Sequence, residues 1–475
     1  MPRSAHTMKS ILLTLAALFV AAQTGHAARP LPNTTSQLLV WADQLATEGA
    51  AQDQFVAENF VGSQKLTKDR IDSIRAYNPN FLVLQYHKAY GVDIGGNITD
   101  ANTWSDDIAT MRAYIAAYPG AGAEEDYYLH WTTTNDPAHR IEHYWAGNLE
   151  YHLADIRHAG FRAYLVEETL HRNEVVGFDG TFFDVAYFPW YDYEPDYDTG
   201  RGMGGDGTMW FGYEPWLNAG WSADVWENAD EWNSMATPYW QYIAAAYHDG
   251  EADALAIANV DRMVTGWYVP EYLDYIDGGM SEGFMTDSGE ANNRLVGGDW
   301  ELSASRILRY LTGNGRILIA QPNYDDTSNT ALRRWWVANY FLLKNSTSYY
   351  YYAATDQSVA WWPEYDINLG AYSAVPTQEL SALLVPGTDS LYQREYANGL
   401  VLVNPGDAAQ AYTLEGNYCQ YGFSGGGVMV GATKPAMSLS CTGTLSGEIS
   451  VAAHDALLLK KKTFRVLPAI LLLLL

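Results

Sequence analysis

The chain is 475 residues long, enough for a barrel-sized domain and a smaller companion and too long for one small core. Its 56 acidic residues against 28 basic ones leave a formal charge of −28, which repels phosphate backbones and anionic headgroups and argues against nucleic acid or an anionic membrane as partner. Aromatic residues make up 14% of the chain, and rings with an apolar face and a polar edge suit sugar-binding clefts, although a ring-rich core without any ligand has the same composition.

At the N-terminus, Arg3 and Lys9 precede an apolar run at 11–22, and Gly25, His26 and Ala27 offer small residues at a cleavage point. Residues 1–28 therefore read as a secretory signal peptide, too short for a stable membrane span, and predict a secreted or periplasmic protein. In an oxidising compartment Cys419 and Cys441 are expected to form one structural disulfide, and two thiols are too few for a cysteine-based zinc site.

Beyond the signal, 38–42 (LLVWA) is a short apolar run, followed by a helical pattern through Phe60. A cleaner strand follows at 80–85 (NFLVLQ), left at Tyr86 and His87, and 103–118 has helical spacing. Either 127–131 (YYLHW, ending at Trp131) or 149–155 (LEYHLAD, ending at Asp155) is the third strand, and the second is favoured because a helical pattern at 158–172 follows it. Then come 181–184 (TFFD), 254–259 (ALAIAN), the region around Ile276, 316–321 (RILIAQ) and 348–353 (SYYYYA), mostly separated by helical patterns. Eight short buried strands alternating with helices predict a closed (β/α)8 barrel over residues 29–372. From 373 to 460 strands alternate with Gly, Asn and Ser turns and no helix is evident, which predicts a small antiparallel β-sandwich stapled by the cysteine pair. The basic and apolar tail at 461–475 is too short to span a bilayer and has no assigned role.

The stretch 176–190 (VGFDGTFFDVAYFPW) carries the chemical argument. Gly177 and Gly180 bracket the approach to a buried strand that stops at Asp184, so a carboxylate sits where substrate can reach it while the strand fixes it. The plainer alternative is that Asp184 only starts a turn. A long loop with Tyr187, Trp190 and many further rings follows, up to about residue 228, and rings at that density argue against disorder. In such barrels the active site lies at the C-terminal ends of the strands, which here offer Tyr86, His87, Asp155, Asp184, Asn259, Glu282 and Gln321. Two carboxylates facing one mouth are what glycoside hydrolysis needs: Asp184 as nucleophile or general base and Glu282 as general acid. Trp131 and Trp190 are expected to stack against sugar, and Tyr86, His87, Asp155, Asn259, Asp277 and Gln321 to bind hydroxyls. Asp277 also competes with Glu282 on the same strand, but its Asp-Gly-Gly context suits backbone support. Asp179, at the far end of its strand, reads as structural.

The segments GFDGTFFD (177–184), NFLVLQYHKAYG (80–91), YIDGGMSEGFM (275–285) and NGLVLVNP (398–405) resemble the hypothetical glycosyl hydrolase group of secreted bacterial TIM-barrel proteins. The resemblance runs from about residue 38 to 405 and implies a carboxylate pair on strands four and six, carried over to Asp184 and Glu282. The long loop containing GRGMGGDG departs from that pattern and leaves substrate preference open. A carbohydrate partner and no cofactor are expected.

Rival signals are weaker. His139, Glu142 and His143 match the H-x-x-E-H pattern of a zinc metallopeptidase, a reading that needs both His on one helical face and a third ligand. Residues 200–205 fit G-x-G-x-x-G without a strand before or a helix after, and Asp192, Glu194, Asp196 and Asp198 alternate as a calcium loop or a solvated acidic loop would. A barrel that binds carbohydrate without turning it over is the remaining alternative.

Overall fold

A computed structural model describes residues 29–45, 49–94, 107–130, 148–186, 229–250, 254–264, 270–287, 294–322, 328–352 and 358–462, with short pieces at 97–98, 104–105, 137, 140, 142–145, 194–196, 201–203 and 209–211. Eight parallel strands close into a barrel in chain order: β1 (Val40–Ala42), β2 (Phe60–Gln64), β3 (Leu82–Lys88), β4 (Gly180–Asp184), β5 (Leu255–Asn259), β6 (Gly278–Glu282), β7 (Ile317–Gln321) and β8 (Ser348–Tyr350). Between them run α1 (Ala50–Asn59), α2 (Lys68–Arg75), α3 (Asp107–Ala117), α4 (Ala159–Arg172), α5 (Ala229–Gly250), α6 (Gly297–Arg306) and α7 (Thr330–Leu343). Among the described residues no helix is long and apolar enough to cross a membrane.

The alternation of side chains along each strand divides the core into two shells. Trp41, Leu82, Leu84, Phe182, Ile257, Met280, Ile317, Ile319 and Tyr349 fill the barrel interior. Their neighbours point outward into the helix layer, where Phe183 meets Trp240 edge to face at 5.3 Å. Counting by twos from the interior residues then puts Tyr86, Lys88, Asp184, Asn259, Glu282 and Gln321 on the inward face at the C-terminal ends. Gly180 is required by close approach, because a Cβ there would lie 2.1 Å from the Leu255 carbonyl oxygen on β5.

The expected barrel is present, but one of its strands was misread. Segment 149–155 is not in the barrel: Asn148–Leu153 pairs antiparallel with Glu142–Trp145 and with Gly91–Asp93. That excursion sheet continues through Met209–Phe211, Arg201–Met203 and Glu194–Asp196, so part of the ring-rich loop is strand. The barrel strand in its place is β2, which begins at Phe60, where the helical pattern ends. Helix α1 ends at Asn59 and Phe60 is already extended, leaving no turn to mark the change. Nor does FVGSQ look like a buried strand. Gly62 is small because a Cβ would strike the Trp41 ring, and Ser63 and Gln64 are fully buried polar residues.

After the barrel, β9 (Tyr392–Tyr396), β10 (Gly399–Asn404), β11 (Gln410–Gly425), β12 (Met437–Val451) and β13 (Asp455–Lys461) form one antiparallel sheet in the order β9-β10-β13-β11-β12. Cys419 on β11 and Cys441 on β12 are disulfide-bonded with Cα atoms 5.4 Å apart. The sheet docks on the end of α7: buried Arg394 donates to the carbonyls of Phe341, Leu342 and Lys344, and the Tyr396 hydroxyl donates to Phe341 at 2.6 Å. These bonds satisfy helix-terminal carbonyls that the helix itself leaves open.

Candidate active site

Asp184 ends β4 on the inward face, and each of its oxygens accepts from two donors. Oδ1 accepts from Asn259 Nδ2 at 2.8 Å and from the Val185 backbone N–H at 2.9 Å. Oδ2 accepts from the Tyr86 hydroxyl at 2.6 Å, with Lys88 Nζ at 3.4 Å. The bond from its own neighbour needs an unusual backbone, and Val185 has φ +52°, a left-handed conformation that costs a β-branched residue strain. Burial pushes the Asp184 carboxyl up, but Lys88, Lys65 and the bonds from Tyr86 and Asn259 outweigh it and hold the group down at about 2.

Glu282 ends β6, and its Oε2 accepts from the same Asn259 Nδ2 at 2.6 Å. Asn259 Oδ1 accepts the Asp261 backbone N–H at 3.0 Å, which fixes the amide with its NH2 toward the acids. The two carboxylate oxygens therefore lie no farther apart than the sum of those two bonds, 5.4 Å. With the two N–H directions of an sp² amide diverging, the separation is roughly 4.7 Å. Burial pushes the Glu282 carboxyl up, and the charges of Asp184 and Asp43 add to the rise, so that it reaches about 7 against the opposing Asn259 bond and Lys65. One acid is kept ionised and its neighbour is kept protonated, by environment rather than by residue type.

Two further strand ends complete the ring. Asp43 follows β1 and Lys65 follows β2, with Lys65 Nζ 3.0 Å from Asp43 Oδ1, and Gln64 donates to the same carboxylate from below. Gln321 lies beside Glu282 in register on β7, buried, and its Oε1 has no hydrogen-bond partner among the described residues. Asp43, Gln64, Lys65 and Lys88 were not expected from the sequence. Alternation along β3 would have revealed Lys88, because Tyr86 and Lys88 share a face and His87 cannot share it.

Three expected positions fall elsewhere. His87 points outward, buried, with Nδ1 against the Lys88 carbonyl at 2.8 Å and Nε2 3.1 Å from Asp107, which also takes Arg172 at 2.8 Å, so it anchors β3 to the helix layer, away from the mouth. Asp155 is not at a barrel strand end; it receives Arg157 through Nε at 2.8 Å and the terminal nitrogen at 2.7 Å, just ahead of α4. Asp277 lies at the opposite, N-terminal end of β6, where it accepts the Ala256 backbone N–H at 2.8 Å. Trp131 and Trp190 lie outside the described residues. The zinc reading loses its helix: Glu142–Trp145 is a β-strand and His139 lies outside the described residues. Residues 201–203 are likewise an antiparallel strand, not the turn into a helix that a dinucleotide loop requires. Among the described residues no group of three or more His, Cys, Asp or Glu is placed to hold a metal ion.

The class of protein that this architecture defines is an eight-stranded parallel barrel with two facing acids at its C-terminal mouth. Residues 213–400 match the family described as Hypothetical glycosyl hydrolase family 15, which bears out the resemblance over that span; it includes Asn259, Glu282 and Gln321 and leaves Asp184 outside. The match supports a glycoside hydrolase. No curated protein sequence matches the chain. Among solved structures, Eubacterium rectale Amy13B is similar at 11% identity and TM-score 0.44, covering 93% of this chain and 98% of its own. A Flavobacterium johnsoniae dextranase is similar at 10% identity and TM-score 0.42, covering 91% of this chain and 52% of its own. Bacillus acidopullulyticus pullulanase is similar at 9% identity and TM-score 0.42, covering 93% and 62%. At such scores the likenesses carry nothing about activity, and the barrel stands on its own strand pairing.

Proposed function

We propose that the chain is an exported glycoside hydrolase that cleaves O-glycosidic bonds of an oligo- or polysaccharide by a retaining mechanism, with Asp184 as nucleophile and Glu282 as general acid and base. The observation that carries this reading is the Asn259 amide holding one oxygen of each acid within 5.4 Å of the other at the barrel mouth. Retaining enzymes place their acids about 5 to 5.5 Å apart, whereas inverting ones need about 6.5 to 9.5 Å to admit a water. The same convergence speaks against a barrel that merely binds sugar, for which two acids with opposed proton affinities serve no purpose.

In the first step an Asp184 oxygen bonds to the anomeric carbon as the bond to the leaving oxygen breaks, and the Glu282 proton passes to that oxygen. Water then attacks the anomeric carbon, its proton returns to Glu282 and the Asp184 ester is released. Because Asp184 already accepts several hydrogen bonds, its charge is oriented before substrate arrives. A 2-deoxy-2-fluoro glycosyl fluoride should leave a covalent sugar on the Asp184 peptide, read by mass spectrometry, and NMR should show the product anomer retained. Label on another residue, or an inverted first product, would sink the assignment.

A further inference from the structure

The mouth holds a second charged pair that takes no direct part in the bond exchange at the two carboxylates. Asp43 and Lys65 are joined at 3.0 Å yet keep 16% and 17% of their side-chain surface open, while Gln64 beneath them is sealed. Lys65 Nζ lies 4.9 Å from the centre of the Tyr86 ring, whose hydroxyl donates to Asp184, so the pair borders the reacting acids. An ordinary surface ion pair needs no special backbone, but Lys65 has φ +62°, a left-handed conformation of the kind that collects at functional sites.

We propose that Asp43 and Lys65 bind the hydroxyls of the glycosyl unit whose anomeric carbon faces Asp184, and that this unit is an electrically neutral sugar. The proposal rests on the glycosidase reading above. A carboxylate accepts and an ammonium donates, so side by side they match neighbouring hydroxyls, each of which does both. Charge decides the class of sugar. Among the described strand-end groups Lys65 and Lys88 face Asp43 and Asp184, joined by ion pairs at 3.0 and 3.4 Å. No surplus positive charge remains among them to receive a sugar carboxylate, and an anion brought there without one bears a desolvation cost. The −28 charge of the chain also repels a polyanionic substrate at long range.

The test compares 4-methylumbelliferyl glycosides of neutral hexoses with the corresponding hexuronides, then takes monodeoxy analogues of the best neutral substrate through the wild type, Asp43→Ala and Asp43→Asn. Melting temperatures identify variants that fold, and the Asn variant keeps the shape if the Ala variant does not. We expect kcat/KM to fall by about 100-fold or more on the parent sugar in both variants. On the one analogue that lacks the bound hydroxyl the loss should shrink to about 3-fold or less, while fluorosugar labelling of Asp184 persists. An equal loss on the parent and on every deoxy analogue would mean that Asp43 supports the fold or tunes Glu282 and binds no hydroxyl, and overturns the proposal, as does a wild-type preference for a hexuronide. If no glycoside is turned over and Asp184 takes no label, the glycosidase reading falls first and this proposal with it.

Discussion

Strands β4 and β6 each carry a carboxylate at both ends, and the two ends have opposite environments. At the N-terminal ends, Asp179 takes Arg29 at 2.6 Å, Arg75 at 2.7 Å and the Val83 N–H at 2.7 Å, and Asp277 takes the Ala256 N–H at 2.8 Å with His248 at 3.3 Å. Both tie their strand to the neighbouring one. At the C-terminal ends, Asp184 and Glu282 share one side-chain amide donor and face a mouth, and the backbone N–H that Asp184 accepts is that of Val185, next to it in the chain. Acids bound to backbone amides and arginine hold the sheet together, whereas acids held against each other acquire different proton affinities. The comparison teaches that position along the strand and partner type separate structural from reactive carboxylates, even in strands of the same five-residue length.

The largest expected effect follows at Asp184. Asp184→Asn should lower kcat/KM by about 10⁴-fold or more, because it removes the attacking oxygen, and should also lower the melting temperature, because it leaves buried Lys88 without its anion. Steady-state kinetics beside a thermal melt measure both. Near-normal turnover would place the nucleophile elsewhere and break the contrast between strand ends.

Glu282→Gln should cost about 10²- to 10³-fold on substrates with a poor leaving group and far less on 2,4-dinitrophenyl glycosides, whose departure needs no proton. In the wild type, activity should fall as pH rises through about 7, where Glu282 loses the proton it must donate, and fall again in strong acid as Asp184 gains one. The alkaline limb should vanish in the Gln variant assayed on an activated substrate. A limb that stays unmoved belongs to another group.

Much of this contrast was legible in the sequence, and what was not has a physical cause. TFFD, ALAIAN and RILIAQ stand out because strands buried on both faces are continuous apolar runs, and their last polar residues are Asp184, Asn259 and Gln321. Phe60–Gln64 escaped notice because its interior position is filled by the neighbouring Trp41 ring, which forces glycine onto the strand itself. Asn148–Leu153 has the look of a barrel strand because an apolar run followed by a helix reads the same in an excursion sheet. Tyr86 and His87 both lie near the end of β3, but a strand has two faces and only Tyr86 shares the inward one. Asp43 and Lys65 follow the ends of β1 and β2, which pair directly in parallel, so their meeting stays hidden wherever β2 is not recognised as a strand.

At the other end of the barrel the effects move from rate to stability. Asp179→Asn should lower stability by about 2 to 4 kcal/mol, since it leaves Arg29 and Arg75 without their shared anion while Asp179 is only 8% exposed. Asp277→Asn should cost about 1 kcal/mol, as that group is 25% exposed and its partner His248 is 41% exposed. Urea denaturation should rank them so, with kcat of the folded fraction unchanged in both. A loss of kcat at either site with stability intact would erase the division between strand ends.

One effect sharpens the comparison most, because in it activity and stability run in opposite directions at one side chain. The Glu282 carboxyl is pushed up to about 7 in the fold from roughly 4.3 in the unfolded chain. The folded state thus holds the proton more tightly, so the group's contribution is fully present below about pH 4.3 and is lost as pH rises through about 7, above which a carboxylate is charged where burial and Asp184 disfavour it. Glutamine cannot ionise. Glu282→Gln should therefore match wild-type stability near pH 4 and exceed it at pH 8 by on the order of a few kcal/mol, measured by urea denaturation at both values. If Glu282→Gln proves less stable at pH 8 than the wild type, the glutamate is already at ease as an anion and cannot be the proton donor.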